Sequence, residues 1–182
     1  SQYCIDKETS ERGYEGKLSD YVFEYVNNVA KEVYKTYPNK NIATSAYTAY
    51  LLPPLYINQF SPNVSMTISR WRSSFADSEE KEFYRDLTNS WLNKLPSRKI
   101  YTYDYYLHNM PDRDNSSVPY YFPHIISDDL KFLKGKSKGE FIEVSTNLES
   151  ANLGWDTFAA QALNVYVTAQ LYWDADQNID AL

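Results

Sequence analysis

The chain has 182 residues, enough for one domain with its own core, and its 43% hydrophobic and 23% charged residues are those of an ordinary globular protein. A net charge of −6, from 18 basic and 24 acidic residues with no Lys/Arg block, argues against a nucleic-acid partner, and no run of eighteen apolar residues is present to span a membrane. The single cysteine, Cys4, excludes an internal disulfide and leaves no zinc cluster, while the two histidines, His108 and His124, fit no metal-ligand spacing; no cofactor is implied.

In chain order, "SDYVFEYVNNVAKEVYKT" (19–36) carries Val22, Val26, Val29, Ala30 and Val33 at helical spacing, with Ser19 placed as N-cap and Pro38 beyond its end. "NIATSAY" (41–47) reads as a short strand. It leads into a stretch where Pro53, Pro54 and Pro62 exclude most regular structure. "NVSMTIS" (63–69) alternates Val64, Met66 and Ile68 with Ser65, Thr67 and Ser69, the pattern of a strand with one apolar and one small polar face.

A second amphipathic helix spans 78–95, with Phe83, Leu87, Trp91 and Leu95 on one stripe and Pro96 behind it. "KIYTYDYYL" (99–107) is a third strand, rich in aromatic residues, with one carboxylate, Asp104, near its end. A polar loop (109–119) precedes a shorter helix over about 124–134 that ends near Gly135. "GEFIEVSTN" (139–147) is a fourth strand. A last helix covers 155–173, with Phe158, Ala162, Leu163, Tyr166, Val167 and Leu171 directed inward.

Strands alternating with helices imply right-handed crossovers and a parallel sheet in a single α/β domain. Helices must cover an apolar sheet face, and Val64/Met66/Ile68 with Ile142/Val144 supply one. The opposite face is small and polar. That suits the wet mouth of a (β/α) barrel better than an open doubly wound sheet, which is the alternative. By strand parity, Thr102/Asp104 and Glu143/Ser145 share a side, late in consecutive strands, where parallel α/β proteins hold their active sites. Two carboxylates meeting there, Asp104 and Glu143, are the minimum for glycoside hydrolysis. Trp71 and Tyr47, at strand ends, and Tyr105 offer flat faces to sugar rings; Arg70 or Arg72 offers a bidentate clamp for a substrate carboxylate. Each acid also has a plain structural reading: Asp104 bonding loop backbone, Glu143 pairing with Arg70 or Arg72, and Glu140 as a solvated turn charge.

The phrases "SDYVFEYVNNVAKEVYKTYPNKNIATSAY", "PNVSMTI", "IYTYDYY" and "NVYVTAQLYWDAD" together resemble a bacterial domain family of unknown function, common in Bacteroidetes-type polysaccharide-degrading proteins. The matching positions are Phe23 with Val26-Asn27, Ala46-Tyr47, Pro53-Pro54, Asn63-Val64, Tyr103-Asp104-Tyr105 and Leu171-Tyr172-Trp173-Asp174, in the family's order and over nearly the whole chain. The resemblance implies a glycoside-hydrolase-like TIM barrel, loosely similar to α-glucuronidases, of which this chain is the second half. The partner is then the missing N-terminal half or a homo-oligomer mate, and a general acid on the barrel's fourth strand lies upstream of Ser1. The implied ligand is a complex polysaccharide or a uronic-acid-bearing glycan, met in the periplasm or outside the cell. The opening "SQYCIDKETS" lacks a signal-peptide pattern, which a mature secreted chain has already lost. A non-catalytic carbohydrate-binding barrel and a purely structural fragment are the alternatives to an enzyme.

Overall fold

In the computed structural model, residues 12–106, 121–143 and 158–182 are described. Their elements run α1 (Ser19–Thr36), β1 (Ile42–Ala46), β2 (Val64–Arg70), α2 (Ser78–Lys94), β3 (Ile100–Tyr105), α3 (Pro123–Leu133), β4 (Ser137–Glu143) and α4 (Phe158–Trp173). The expected helices and strands are all present, most within one or two residues of their expected bounds. The expected loop at 109–119, the end of the fourth strand beyond Glu143, and the inward place of Phe158 lie outside what is described. The four strands form one parallel sheet in the order β1-β2-β3-β4, with Ile42 opposite Val64 and Ala46 opposite Ile68. Successive strands thus add in one direction, without the reversal of order that marks a doubly wound sheet. Among the described residues no helix is long and apolar enough to cross a membrane.

The chain divides into two compact units, the first made of residues 1–69, 85–102 and 137–139. Its core is aromatic. Phe23 of α1 meets Trp91 of α2 edge-on at 4.9 Å and Phe60 at 5.9 Å between ring centroids. The β1–β2 crossover has no α-helix, because its prolines forbid one, so its polar backbone must find partners elsewhere. It finds them on side chains. Asp20 accepts from the amides of Leu55 and Tyr56 at 2.7 and 2.9 Å, and Asn27 accepts from Ser61 at 2.8 Å. Trp91 Nε1 donates to the Leu51 carbonyl at 3.0 Å, and Lys94 Nζ to that of Ile57 at 2.6 Å.

This demand moves the inner stripe of α1. Phe23, Asn27 and Ala30 face inward, and Val29 is exposed. Ser19 is the first helical residue rather than the cap; Leu18 holds that place without a side-chain cap bond. In α2 Tyr84 takes the buried place expected for Phe83, which is exposed. The polar face of β2 is not wet: Ser65 and Ser69 are buried, and Asn41 donates to Ser65 Oγ at 2.6 Å.

The second unit comprises residues 70–84, 103–136 and 140–182. Pro123 opens α3 at a position where its missing amide costs nothing, and Gly135, at φ 77°, turns the chain after α3 in the left-handed region. Tyr106, Phe122, Ile126, Leu130, Leu133, Val167 and Leu171 form its apolar core. In α4 Leu163 and Tyr166 are exposed, contrary to their expected inward places, because Gln161, Asn164 and Thr168 occupy the buried side. Asn164 Oδ1 accepts from the Phe122 amide at 3.1 Å and its Nδ2 donates to Gln161 at 2.8 Å.

Trp91 joins ring packing to a crossover hydrogen bond. Trp91→Ala is expected to cost about 3–5 kcal/mol of stability. Urea unfolding followed by circular dichroism measures it, and a loss below about 1 kcal/mol contradicts this account of the core.

Candidate functional site

Alternation along β2 places Arg70 on the same buried side as Val64, Met66 and Ile68, and alternation along β3 places Asp104 with Ile100 and Thr102. Within the second unit these two meet. Arg70 Nη2 donates to Asp104 Oδ2 at 2.7 Å, and the backbone amide of Arg72 donates to Asp104 Oδ1 at 2.9 Å. Arg70 spans Asp129 of α3 with Nη1 at 3.0 Å and Nη2 at 2.7 Å, the bidentate geometry that guanidinium favours. Arg72, in a short 3-10 turn after β2, donates from Nε to the same carboxylate at 2.7 Å.

Glu140 of β4 completes the group. It accepts from Arg72 Nη1 at 3.1 Å and from Arg72 Nη2, and Tyr172 of α4 donates its hydroxyl to it. Arg72 Nη1 also donates to the Tyr106 hydroxyl at 2.6 Å, which lies 2.8 Å from Thr168 Oγ1. The Arg70, Arg72 and Asp104 side chains are 1%, 0% and 0% exposed.

Electrostatics follow from this packing. Burial works against ionising Asp104, but Arg70 and Arg72 overcome it and hold the carboxyl well below its usual range; at Asp129 burial is likewise overcome by the same two cations, which lower its value. For Glu140 burial dominates, partly opposed by Arg72 and reinforced by Asp104, and its carboxyl is pushed up to about 7.

The other face of the unit's strands is aromatic. Trp71 stacks on Tyr105 at 4.5 Å and 21°, Tyr105 meets Tyr103 at 5.0 Å, and Tyr103 stacks on Phe141 at 4.7 Å and 23°. Phe141 is 58% exposed, and Trp71, Tyr103 and Tyr105 are half-buried. Glu143 stands beside the strip and accepts from the Tyr103 hydroxyl at 2.6 Å.

Along its whole length, residues 1–182, the chain matches the model of a family described as Domain of unknown function (DUF4838). The chain belongs to that family. No curated protein and no solved structure matches it.

In this DUF4838 domain the residues singled out in the sequence fall into separate places. Arg70, Arg72 and Asp104 come together, but as one buried ion cluster with no donor turned outward to clamp a substrate carboxylate. Trp71 and Tyr105 come together in the strip. Tyr47, directly after β1, is exposed and belongs to the first unit.

Asp104 and Glu143 do not converge. Residues 140 and 143 lie three apart in β4 and so point to opposite faces, and it is Glu140 that reaches Asp104's partners. Glu140 is therefore not a solvated turn charge, because β4 begins at Ser137, inside the apparent turn. Its signal was present: it shares parity with Ile142, on the apolar face. Asp129 also went unread, although it falls between Ile126 and Leu130 on the buried stripe of α3. His108 lies outside the described residues, while His124 is exposed, 3.5 Å from Asp180. Among the described residues no group of three His, Cys, Asp or Glu side chains is arranged to hold a metal.

Removing one cation from a buried cluster strands its partners. Arg72→Met is expected to lower stability by about 3–5 kcal/mol in urea unfolding at neutral pH. Asp104 and Asp129, with depressed values, contribute stability above the ordinary carboxylate range that is lost as pH falls through about 4 and below, so acid unfolding is expected. An Arg72→Met protein as stable as the parent contradicts the pairing.

Proposed function

We propose that this domain is the carbohydrate-recognising part of a polysaccharide-processing protein, and that the strip Trp71–Tyr105–Tyr103–Phe141 is its sugar-stacking surface. The observation that carries this reading is the strip itself. Four rings follow one another at centroid spacings of 4.5 to 5.0 Å, ending on a largely exposed phenylalanine. Flat apolar rings with polar tips suit the faces and hydroxyls of pyranose rings. Glu143, held by Tyr103, accepts from sugar hydroxyls at the strip's edge.

The resemblance to glycoside-hydrolase-like barrels supports the same ligand class and a periplasmic or extracellular setting. The one-directional strand order is compatible with consecutive units of such a barrel. Its other strands would come from an N-terminal half or a second copy.

Recognition is favoured over catalysis by these residues alone. Hydrolysis needs two carboxyls about 5 to 9.5 Å apart across the scissile bond. Asp104 is sealed between guanidiniums, leaving Glu143 as the acid at the strip. A hydrolytic role for Glu143 requires a second carboxyl other than Asp104.

The preferred glycan is neutral. Arg70 and Arg72 are engaged internally, and the group beside the strip is an acid that repels uronates.

Affinity electrophoresis through gels containing neutral β-glucan or polygalacturonate tests this. The parent chain is expected to be retarded by the neutral polymer only. Phe141→Ala is expected to weaken that binding about fivefold to tenfold, the loss of one stacking contact of about 1 kcal/mol. Absence of retardation by the neutral polymer, retardation by polygalacturonate, or an unchanged Phe141→Ala protein rejects the reading.

A further inference from the structure

The buried cluster has an uneven charge count. Two guanidiniums, Arg70 and Arg72, face three carboxyl groups, Asp104, Asp129 and Glu140, with side chains no more than 3% exposed. Guanidinium stays charged at every pH the protein meets. With all three acids ionised the cluster would therefore seal in one uncompensated negative charge, which burial penalises by several kcal/mol.

The geometry supplies the remedy. The Tyr172 hydroxyl at Glu140 can accept a hydrogen bond as well as donate one, whereas the guanidinium and amide groups that meet Asp104 and Asp129 can only donate. A protonated carboxyl must donate, so the proton belongs on the acid that has such a hydroxyl beside it. Asp104 is an unsuitable carrier. One of its oxygens accepts from the Arg72 amide and the other from Arg70, contacts that favour its charged form.

Glu140 is surrounded differently. It faces Arg70 at the end of β2 and Arg72 in the turn after it, Asp104 of β3 and Tyr106 just beyond it, Asp129 from α3 across the shared guanidiniums, and Tyr172 from α4. We propose that the cluster is a proton-binding site, with one proton carried by Glu140, and that releasing it as pH rises loosens the second unit.

The sign follows from linkage. An unfolded glutamate gives up its proton at an ordinary value of 4.5, whereas Glu140 in the fold holds it to about 7. Between these values the folded chain binds more protons than the unfolded one, so the stability that this proton contributes is fully present below about pH 4.5 and falls as pH rises toward 7. Above that window both states are ionised and the slope vanishes. A gap of two to three pH units corresponds to roughly a hundredfold change in the unfolding equilibrium constant.

Urea unfolding of the full chain at pH 5 and pH 8, beside Glu140→Gln, reads this directly. Glutamine keeps a donor toward Tyr172 but cannot ionise. The parent is expected to show an unfolding constant about a hundredfold larger at pH 8, and Glu140→Gln less than about threefold. In parallel, a carbon-13 NMR titration of the parent's glutamate side chains is expected to show one carboxyl with a midpoint near 7. That titration decides alone if the variant does not fold. A pH difference in Glu140→Gln equal to the parent's, or every glutamate carboxyl titrating below about pH 5.5, overturns the proposal.

Discussion

The carboxylate of Asp104 is placed where no free charge survives, and the second unit is organised around keeping it paired. Its two oxygens take a guanidinium nitrogen from Arg70 and a backbone amide from Arg72, and those residues reach on to Asp129 and Glu140. Strands β2, β3 and β4 and helix α3 each contribute a charged group to one dry volume, and α4 contributes hydroxyls. Such a cluster is poor evidence for net stabilisation, because desolvation consumes much of the Coulombic attraction. It does specify arrangement. A slip of one residue in β3 or β4 would carry Asp104 or Glu140 to the other face and leave the arginines with one carboxylate fewer.

A related rule governs the first unit. The crossover between β1 and β2 is irregular because of its prolines, and irregular backbone brought close to a core must be satisfied by something. Asp20 and Asn27 on α1 and Trp91 and Lys94 on α2 provide that satisfaction. Helical faces that a hydropathy pattern assigns to solvent are thereby drawn inward. Polar side chains on these helices are substitutes for missing ladder bonds.

Those substitutions mark what could be read from the sequence. Element order, most boundaries, the parallel sheet and the aromatic alternation of β3 all follow from periodicity and proline placement. Which helical stripe turns inward did not follow for α1 and α4, because Asn27, Asn164 and Thr168 are buried for hydrogen bonding rather than for hydrophobicity. At the site, Arg70, Arg72 and Asp104 were legible as strand-end charges, and Trp71 and Tyr105 as stacking rings. Glu140 was hidden by the glycine and lysines before it, which resemble a turn until β4 is known to start at Ser137. Glu143 was assigned to the wrong neighbour because strand parity fixes faces only once the register between β3 and β4 is known.

Trp71 sits in the chain between two residues that cannot move. Arg70 is held by Asp104 and Asp129, and the Arg72 amide by Asp104. The Trp71 carbonyl itself accepts from the Ser74 amide at 2.9 Å and from Ser74 Oγ at 2.7 Å. The indole is thus mounted on backbone already fixed in place and rests on Tyr105. A partner settling on that ring would meet a surface that has surrendered its freedom during folding, so little further ordering remains to oppose capture.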